Sequence, residues 1–295
     1  MISKDMISAN LKNCLTGTDF LDLPNPKKGK VRDSFDCGDT LVLVTTDRQS
    51  AFDRILAAVP FKGQVLNQVS EFWFENTKDI VKNHVIDIPD PNVTVAKKCT
   101  VFPVEFVVRN YLTGSTDTSA WTQYAAGNRD ICGNILPNGM VKNQKLDKTI
   151  LTPTTKAEDH DQSISAEEIV SQGIIDKETW QKLEDIAFRL FARGSDIAAR
   201  HGLILVDTKY EIGRDEDGEI TLIDEIHTPD SSRYWFKDNC DPYNDPELPA
   251  APDDLVVELS SRYIRLYEMI TGKDFDIDTD TPIDERLKKN LAGLS

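Results

Sequence analysis

The spacing of apolar residues changes along this chain, and each change marks an element. From Gln64 to Asn83, Val65, Val69, Phe72, Trp73, Ile80 and Val81 recur at near-helical intervals and predict a packing helix. A longer helix is predicted from about Lys177 to His201, with Trp180, Leu183, Ile186, Leu190, Phe191, Ile197 and Ala198 as its buried stripe and Gly202 as its stop. Ser165-Ala166-Glu167-Glu168 has the form of a capping box opening a short helix. Leu255 to Ile270 reads as an amphipathic helix closed by Gly272, and Pro282 to Leu291 as a short surface helix. Residues 127 to 162, rich in Gly, Asn, Pro and Thr, show no sustained period and are expected to be irregular, as is the Pro- and Asp-rich connector from Asp238 to Pro252.

Strand-like patterns fill the rest. Thr40 to Thr45 is a short apolar strand, and Ala96 to Arg109 is two β-rich runs joined through Pro103. The most informative stretch is 203 to 235. Two apolar runs, Leu203 to Val206 and Ile220 to Ile226, flank the acidic turn Arg214-Asp215-Glu216-Asp217-Gly218, whose Asp-Gly favours the positive backbone angles of a hairpin. Near the end of the first run Asp207, Lys209 and Glu211 stand at alternate positions, so their side chains leave one face of the sheet.

With 295 residues, 39% of them hydrophobic, the chain can bury a substantial core in one large domain or two lobes. No stretch approaches the roughly 20 apolar residues of a membrane span. The first twenty residues have the pattern of neither a signal nor a transit peptide, which predicts an unprocessed soluble protein. Cys14, Cys37, Cys99, Cys132 and Cys240 are scattered and form no CxxC pair, so a reducing cytoplasm is expected rather than a disulfide framework. A formal charge of −16 opposes nucleic-acid binding, which leans on Lys and Arg. Small anionic ligands would instead need local basic knots in the acidic background.

Such knots exist. Lys27-Lys28-Gly29-Lys30-Val31-Arg32-Asp33 places a Gly between bases in a strand-turn-strand; it fits a phosphate-covering loop, or a solvated turn, and lacks the Walker spacing. Thr45-Thr46-Asp47-Arg48-Gln49-Ser50-Ala51-Phe52-Asp53-Arg54 fits a ligand cleft and a capped loop with local Asp-Arg pairs equally well. The apolar connection Val101-Phe102-Pro103 can offer main-chain groups to an adenine edge. Arg109, with Ser115 beyond Gly114, can converge on one anion, or Arg109 can be a surface ion pair. In the acidic hairpin, Asp224-Glu225 interrupts an apolar strand, where lone carboxylates are costly to desolvate, and the chain exits into Thr228-Pro229-Asp230-Ser231-Ser232-Arg233. Two acids, a base between them and an anion-binding turn are the parts with which Mg²⁺ is held beside nucleotide phosphates.

In order, the blocks GKVRD (29–33), TDRQSAFD (46–53), PVEFVVRNYLTGS (103–115), TPTTKAEDHD (152–161), VDTKYE (206–211) and DEIHTPDSSRYW (224–235) closely resemble the phosphoribosylaminoimidazole-succinocarboxamide synthase (SAICAR synthetase) family, in its yeast-type form. The resemblance spans residues 29 to 235, with little of it before 28 or after about 240. It implies an α+β fold of two lobes, a mainly β nucleotide lobe (1–104) and a larger α/β lobe (105–295), distantly similar to protein kinases. It further implies a cytoplasmic, ATP- and Mg²⁺-dependent ligase, monomeric or a small homo-oligomer, that joins carboxyaminoimidazole ribonucleotide to L-aspartate through an acyl phosphate. Carried over position by position, Gly29, Lys30 and Arg32 cover the ATP phosphates, and the backbone around Val101 and Phe102, with Glu105, flanks adenine. Glu211 and Asp224 bind Mg²⁺, Lys209 meets the transferred phosphoryl, and Asp207 is the candidate proton acceptor. Arg109, Ser115, Asp230, Ser231, Ser232 and Arg233 hold the ribonucleotide, while Lys156 and Asp161 belong to a substrate loop. A small-molecule kinase and a catalytically silent nucleotide-binding module are the competing readings.

Overall fold

The computed structural model describes residues 2–51, 54–116, 119–155, 162–231 and 252–294. Its contacts divide into two compact units, each discontinuous in sequence: Met1–Phe72, Val85–Lys98 and Thr228–Ser295 form one, Trp73–His84 and Cys99–His227 the other. The expected lobes were contiguous, with one boundary at 104/105.

The first unit is built on a five-stranded sheet in the order Pro26–Lys28, Arg32–Asp36, Thr40–Thr45, Val93–Lys97, Val85–Asp90, every pair antiparallel. Alternation along the strands sends Phe35, Val42, Val44, Val93 and Val95 to one face, where Leu15, Leu287 and Leu291 close the cluster. The tail helix, Ile283–Asn290, is a surface helix as expected, but one with a buried anchor. Its charged residues outnumber its apolar ones and hide an anchor: Leu287 is fully buried, and Arg286 donates to the buried Asp90 and to Asn92. The helix Asp253–Thr271 ends where Gly272 turns left-handed at φ 68°, as expected of a helix stop.

The second unit is organised around the strand Val104–Leu112. It pairs antiparallel with Asp207–Arg214, setting Phe106 opposite Tyr210, Val107 opposite Lys209 and Arg109 opposite Asp207. It also pairs with Gln144–Leu151 and Thr154–Thr155, inside the segment expected to be irregular. That eight-residue strand escaped notice because its face does not alternate: of Gln144 to Lys148 only Leu146 is buried. The long helix runs Lys177–Arg200 from an Asp176 cap and stacks Trp180 on Phe106 of the central strand, ring centroids 5.5 Å apart. The capping box at Ser165 and Glu168 is formed in full. The helix Lys62–Thr77 contributes to both units and stops six residues short of Asn83, after which Lys82–Asn83 pairs parallel with Thr221–Leu222.

The acidic hairpin is present with shifted strands. Asp207–Arg214 pairs with Ile220–Ile223, whereas Leu203–Val206, expected as the first strand, precedes it with Ile204 69% exposed. Alternation explains the choice: in 207–214 it buries Thr208, Tyr210 and Ile212 on the core side.

Candidate functional site

Period-2 geometry puts Asp207, Lys209 and Glu211 on the face of the strand opposite Thr208, Tyr210 and Ile212. The Lys209 ammonium lies 2.7 Å from Oε1 of Glu105 and 3.0 Å from Oε1 of Glu211. Glu105, buried, also accepts from the Thr154 hydroxyl at 3.2 Å. Burial alone would lower the Lys209 pKa. The negative field of Glu211, Glu105 and Asp224 outweighs it and raises that pKa above its ordinary value. Contrary to the expectation that Asp224 interrupts the second strand, the strand ends at Ile223, and Asp224 begins the following turn with φ 65°. Ending the ladder there removes the need to place a carboxylate on a buried strand face.

Among the described residues no three His, Cys, Asp or Glu side chains form a ready metal cage. The donors present nevertheless suit a hard cation. Carboxylate oxygens already stabilise one positive charge at Lys209, and Mg²⁺ is commonly held by one or two carboxylates with its remaining positions on water and phosphate.

Arg109 points its Nη1 at Oδ2 of Asp207, 2.9 Å away, and its Nε at the Thr152 hydroxyl, also 2.9 Å. The ion-pair reading of Arg109 is thus realised, and the same pair occupies one oxygen of Asp207. Ser115 is exposed beyond the strand end. The adenine-edge expectation meets a constraint at Phe102, whose amide donates to the Ile212 carbonyl at 3.0 Å and whose ring carries the Arg214 guanidinium at 5.3 Å. Val101 is 42% exposed.

In the first unit the basic knot is a hairpin turn between Pro26–Lys28 and Arg32–Asp36. A Cβ on Gly29 would collide with the Arg32 carbonyl oxygen, which the Gly29 amide itself reaches at 3.0 Å, so this close approach requires glycine. Three successive carbonyls of the turn are taken by the protein's own donors. Arg48 Nη2 binds Gly29 O at 3.0 Å, Arg48 Nε binds Lys30 O at 3.1 Å, and the Thr46 amide binds Val31 O at 2.9 Å. A loop meant to approach an anion gains from this, because its partial negative charges are held inward. Arg48 is in turn fixed by Asp33, Nη2 to Oδ1 at 2.6 Å, with side chains 8% and 1% exposed. Arg32 donates to the Thr45 hydroxyl at 3.2 Å.

Asp47, next to Arg48, accepts from the Leu15 amide at 2.7 Å and from the Gly63 amide at 2.8 Å. Burial pushes its carboxyl up to about 6 against those two hydrogen bonds. Asp47 and Arg48 thus take long-range partners rather than the local Asp-Arg pairs of the capped-loop reading of TDRQSAFD; Phe52 and Asp53 lie outside the described residues. Asp230 sits in the 3₁₀ turn Pro229–Ser231, and both its oxygens meet Lys62 Nζ, at 3.0 and 3.1 Å. Sequence reasoning missed Lys62, and its one visible signal was a lysine beside the apolar stripe of a predicted helix. Lys156, Asp161, Ser232 and Arg233 lie outside the described residues, as does the side chain of Ser231.

The α+β fold has counterparts among solved structures. The SAICAR synthase from Saccharomyces cerevisiae, solved with SAICAR, superposes with a TM-score of 0.77 at 29% identity, covering 89% of this chain and 100% of that one. A type-2 SAICAR synthetase solved with ADP shares the fold at 24% identity and a TM-score of 0.65, covering 86% of this chain and 100% of that one. The phosphoribosylaminoimidazole-succinocarboxamide synthase of Legionella pneumophila (strain Lens) is 54% identical over 94% of this chain and 97% of its own length. The chloroplastic synthase of Arabidopsis thaliana is also 54% identical, over 97% of this chain and 77% of its own. The SAICAR synthetase sequence model matches residues 25–249, and the chain belongs to that family.

Proposed function

We propose that this chain carries out its family's reaction with carboxyaminoimidazole ribonucleotide, L-aspartate and ATP as substrates and Mg²⁺ as cofactor, working in the cytoplasm, and that its residues divide the work as follows. A carboxylate resists amine attack until one oxygen becomes a leaving group. The imidazole carboxylate therefore takes the terminal phosphoryl of ATP, releasing ADP, and the aspartate amine then displaces phosphate and loses a proton. The first step needs no base, because the carboxylate is already ionised; it needs charge neutralisation and in-line placement. Lys209 supplies a fixed positive charge for the phosphoryl, while Glu211 and Asp224 hold Mg²⁺. When bound, that ion withdraws charge from the phosphate oxygens.

Gly29, Lys30 and Arg32 take the nucleotide phosphates, and Val101, Phe102 and Glu105 lie by adenine. The Phe102 carbonyl is the better candidate there, since its amide is already used. Arg109, Ser115 and Asp230 hold the ribonucleotide, with Ser231, Ser232 and Arg233 of the same block and Lys156 and Asp161 of the substrate loop. Asp207 accepts the amine proton. Among the described residues no helix is long and apolar enough to cross a membrane, and Cys14, Cys37, Cys99 and Cys132 are free thiols, in keeping with a reducing compartment.

The observation that supports this reading best is the Lys209 ammonium bracketed by Glu105 and Glu211. ADP release measured with each substrate omitted in turn tests it. Sustained, many-turnover release is expected only when ATP, Mg²⁺, the imidazole carboxylate and L-aspartate are all present, with at most about one ADP per enzyme when aspartate alone is omitted. Sustained release without aspartate would make the chain a small-molecule kinase, and no release a silent binding module.

A further inference from the structure

Asp230 lies near the start of the Pro229–Ser231 turn, and three donor contacts converge on its carboxylate. Lys62 Nζ reaches Oδ1 at 3.0 Å and Oδ2 at 3.1 Å, and the Tyr263 hydroxyl donates to Oδ1 at 2.9 Å. Lys62 is fully buried, while the Asp230 side chain is 18% exposed. A carboxylate offers about four lone-pair sites, so three are spent inside the protein and about one is left for anything else. The donors come from far apart in sequence: Lys62 opens the helix Lys62–Thr77, and Tyr263 lies mid-way along Asp253–Thr271. Both helices are themselves tied down here. The Ser260 hydroxyl, one turn before Tyr263, donates to the Pro60 carbonyl at 2.8 Å, and the Gly63 amide is held by Asp47. The Lys62 ammonium also lies 5.8 Å from the centre of the Tyr263 ring, so the tyrosine touches both members of the ion pair.

A buried lysine is costly to charge unless its partner is fixed, and a carboxylate in a short turn is free to rotate unless something holds it. Each solves the other's problem here. We propose that Lys62 and Tyr263 are positioning residues for the ribonucleotide: they lock the rotamer of Asp230 so that its remaining acceptor site meets a substrate donor, such as a sugar hydroxyl, in one orientation. Tyr263 lies beyond residues 25–249, the span that carries the family match, so this assigns the C-terminal helix a part in substrate binding. The inference rests on the assignment of Asp230 to the ribonucleotide site.

The test is a double-mutant cycle on the full chain, with Tyr263→Phe, Asp230→Asn and both together. Calorimetry gives the Kd of carboxyaminoimidazole ribonucleotide, and steady-state kinetics gives KM for that substrate and for ATP. Tyr263→Phe keeps the ring and removes the hydroxyl that meets Asp230 Oδ1 at 2.9 Å and, more weakly, Gln49 Oε1 at 3.4 Å. It is expected to weaken ribonucleotide binding about tenfold while moving KM for ATP less than about twofold. If the tyrosine acts through Asp230, adding Tyr263→Phe to Asp230→Asn costs nothing further. Lys62→Met should weaken the same binding more. Should that variant not fold, the tyrosine cycle alone decides. Additive losses, unchanged binding in Tyr263→Phe, or equal losses for ATP and ribonucleotide overturn the proposal. Wild-type protein that binds no ribonucleotide would overturn the functional assignment and this inference with it, whereas binding with an additive cycle overturns the inference alone.

Discussion

The two units hold their charged groups by opposite means. In the second, Asp207, Lys209 and Glu211 form a row along one strand, with Lys209 44% exposed. Such a row costs little to build, because alternation puts the charges on one face and solvent or ligand can screen them. In the first, Arg48, Asp33, Lys62 and Asp230 are joined by long-range pairs whose members are almost all buried. Charges placed there must be matched nearly atom for atom, since an unmatched one would be stranded away from water. A row can therefore be altered chiefly at the expense of chemistry, whereas altering a buried network costs stability whatever else it does.

The largest effect expected from this contrast is catalytic. Lys209→Ala removes the cation between Glu105 and Glu211 from a half-open strand face and leaves no core cavity. Turnover should fall by at least about 10³-fold, the scale of losing a group that stabilises transition-state charge, in a protein that still folds but with a lowered thermal midpoint, because the buried Glu105 loses its cation. ADP release and a melting curve on one preparation check both halves. Near-normal turnover would remove Lys209 from the reaction.

Arg48→Met should behave the other way round. The side chain keeps its approximate length, but Asp33, 1% exposed, loses its guanidinium, and the carbonyls of Gly29 and Lys30 lose their donors. A loss of about 3 kcal/mol in unfolding free energy is expected from a buried pair broken on one side, read as a lower urea midpoint at unchanged slope. Arg32→Met, which removes a guanidinium that binds the Thr45 hydroxyl, should cost far less stability and act chiefly on KM for ATP. If both arginines gave the same profile, the distinction between scaffold and ligand-facing bases in this hairpin would fail.

The same contrast explains what could be read from the sequence alone. The row at 207 to 211 follows from period 2, the helix Lys177–Arg200 from a 3.6-residue period with a Gly stop, and the Ser165 box from two residues three apart. These are local patterns. Arg48 and Asp33 are 15 residues apart, and Lys62 and Asp230 are 168 apart. No periodicity encodes such distances, and a buried Lys looks like a solvated one until its partner is seen. The strand Gln144–Leu151 was hidden for a related reason: it is defined by the ladder of its neighbour Val104–Leu112 rather than by its own alternation. Motif resemblance put forward Asp230 and the Gly29 loop as candidates, but gave no sign of Lys62, Tyr263 or the contacts of Arg48.

The smallest effect expected is a pH dependence that differs in sign between the units. In the second unit, burial lowers the His227 pKa from 6.5 to about 3, and its Nε2 meets the Tyr210 hydroxyl. As pH falls below 6.5 the unfolded chain binds a proton there that the folded one refuses, so this group's contribution is complete above 6.5 and shrinks towards 3. In the first unit, Asp47 is raised from 3.8 to about 6, so the folded chain takes its proton first and gains stability as pH falls from 6 to 3.8. Between pH 6 and 4 the two contributions oppose each other. Removing one should expose the other: over that interval Asp47→Asn should lose about 2 kcal/mol more than wild type, and His227→Gln about as much less. Slopes, not absolute stabilities, carry the test, because either substitution also disturbs hydrogen bonds at every pH. Urea midpoints at pH 6, 5 and 4 for the three proteins suffice, and parallel lines would show that neither group titrates as its burial requires.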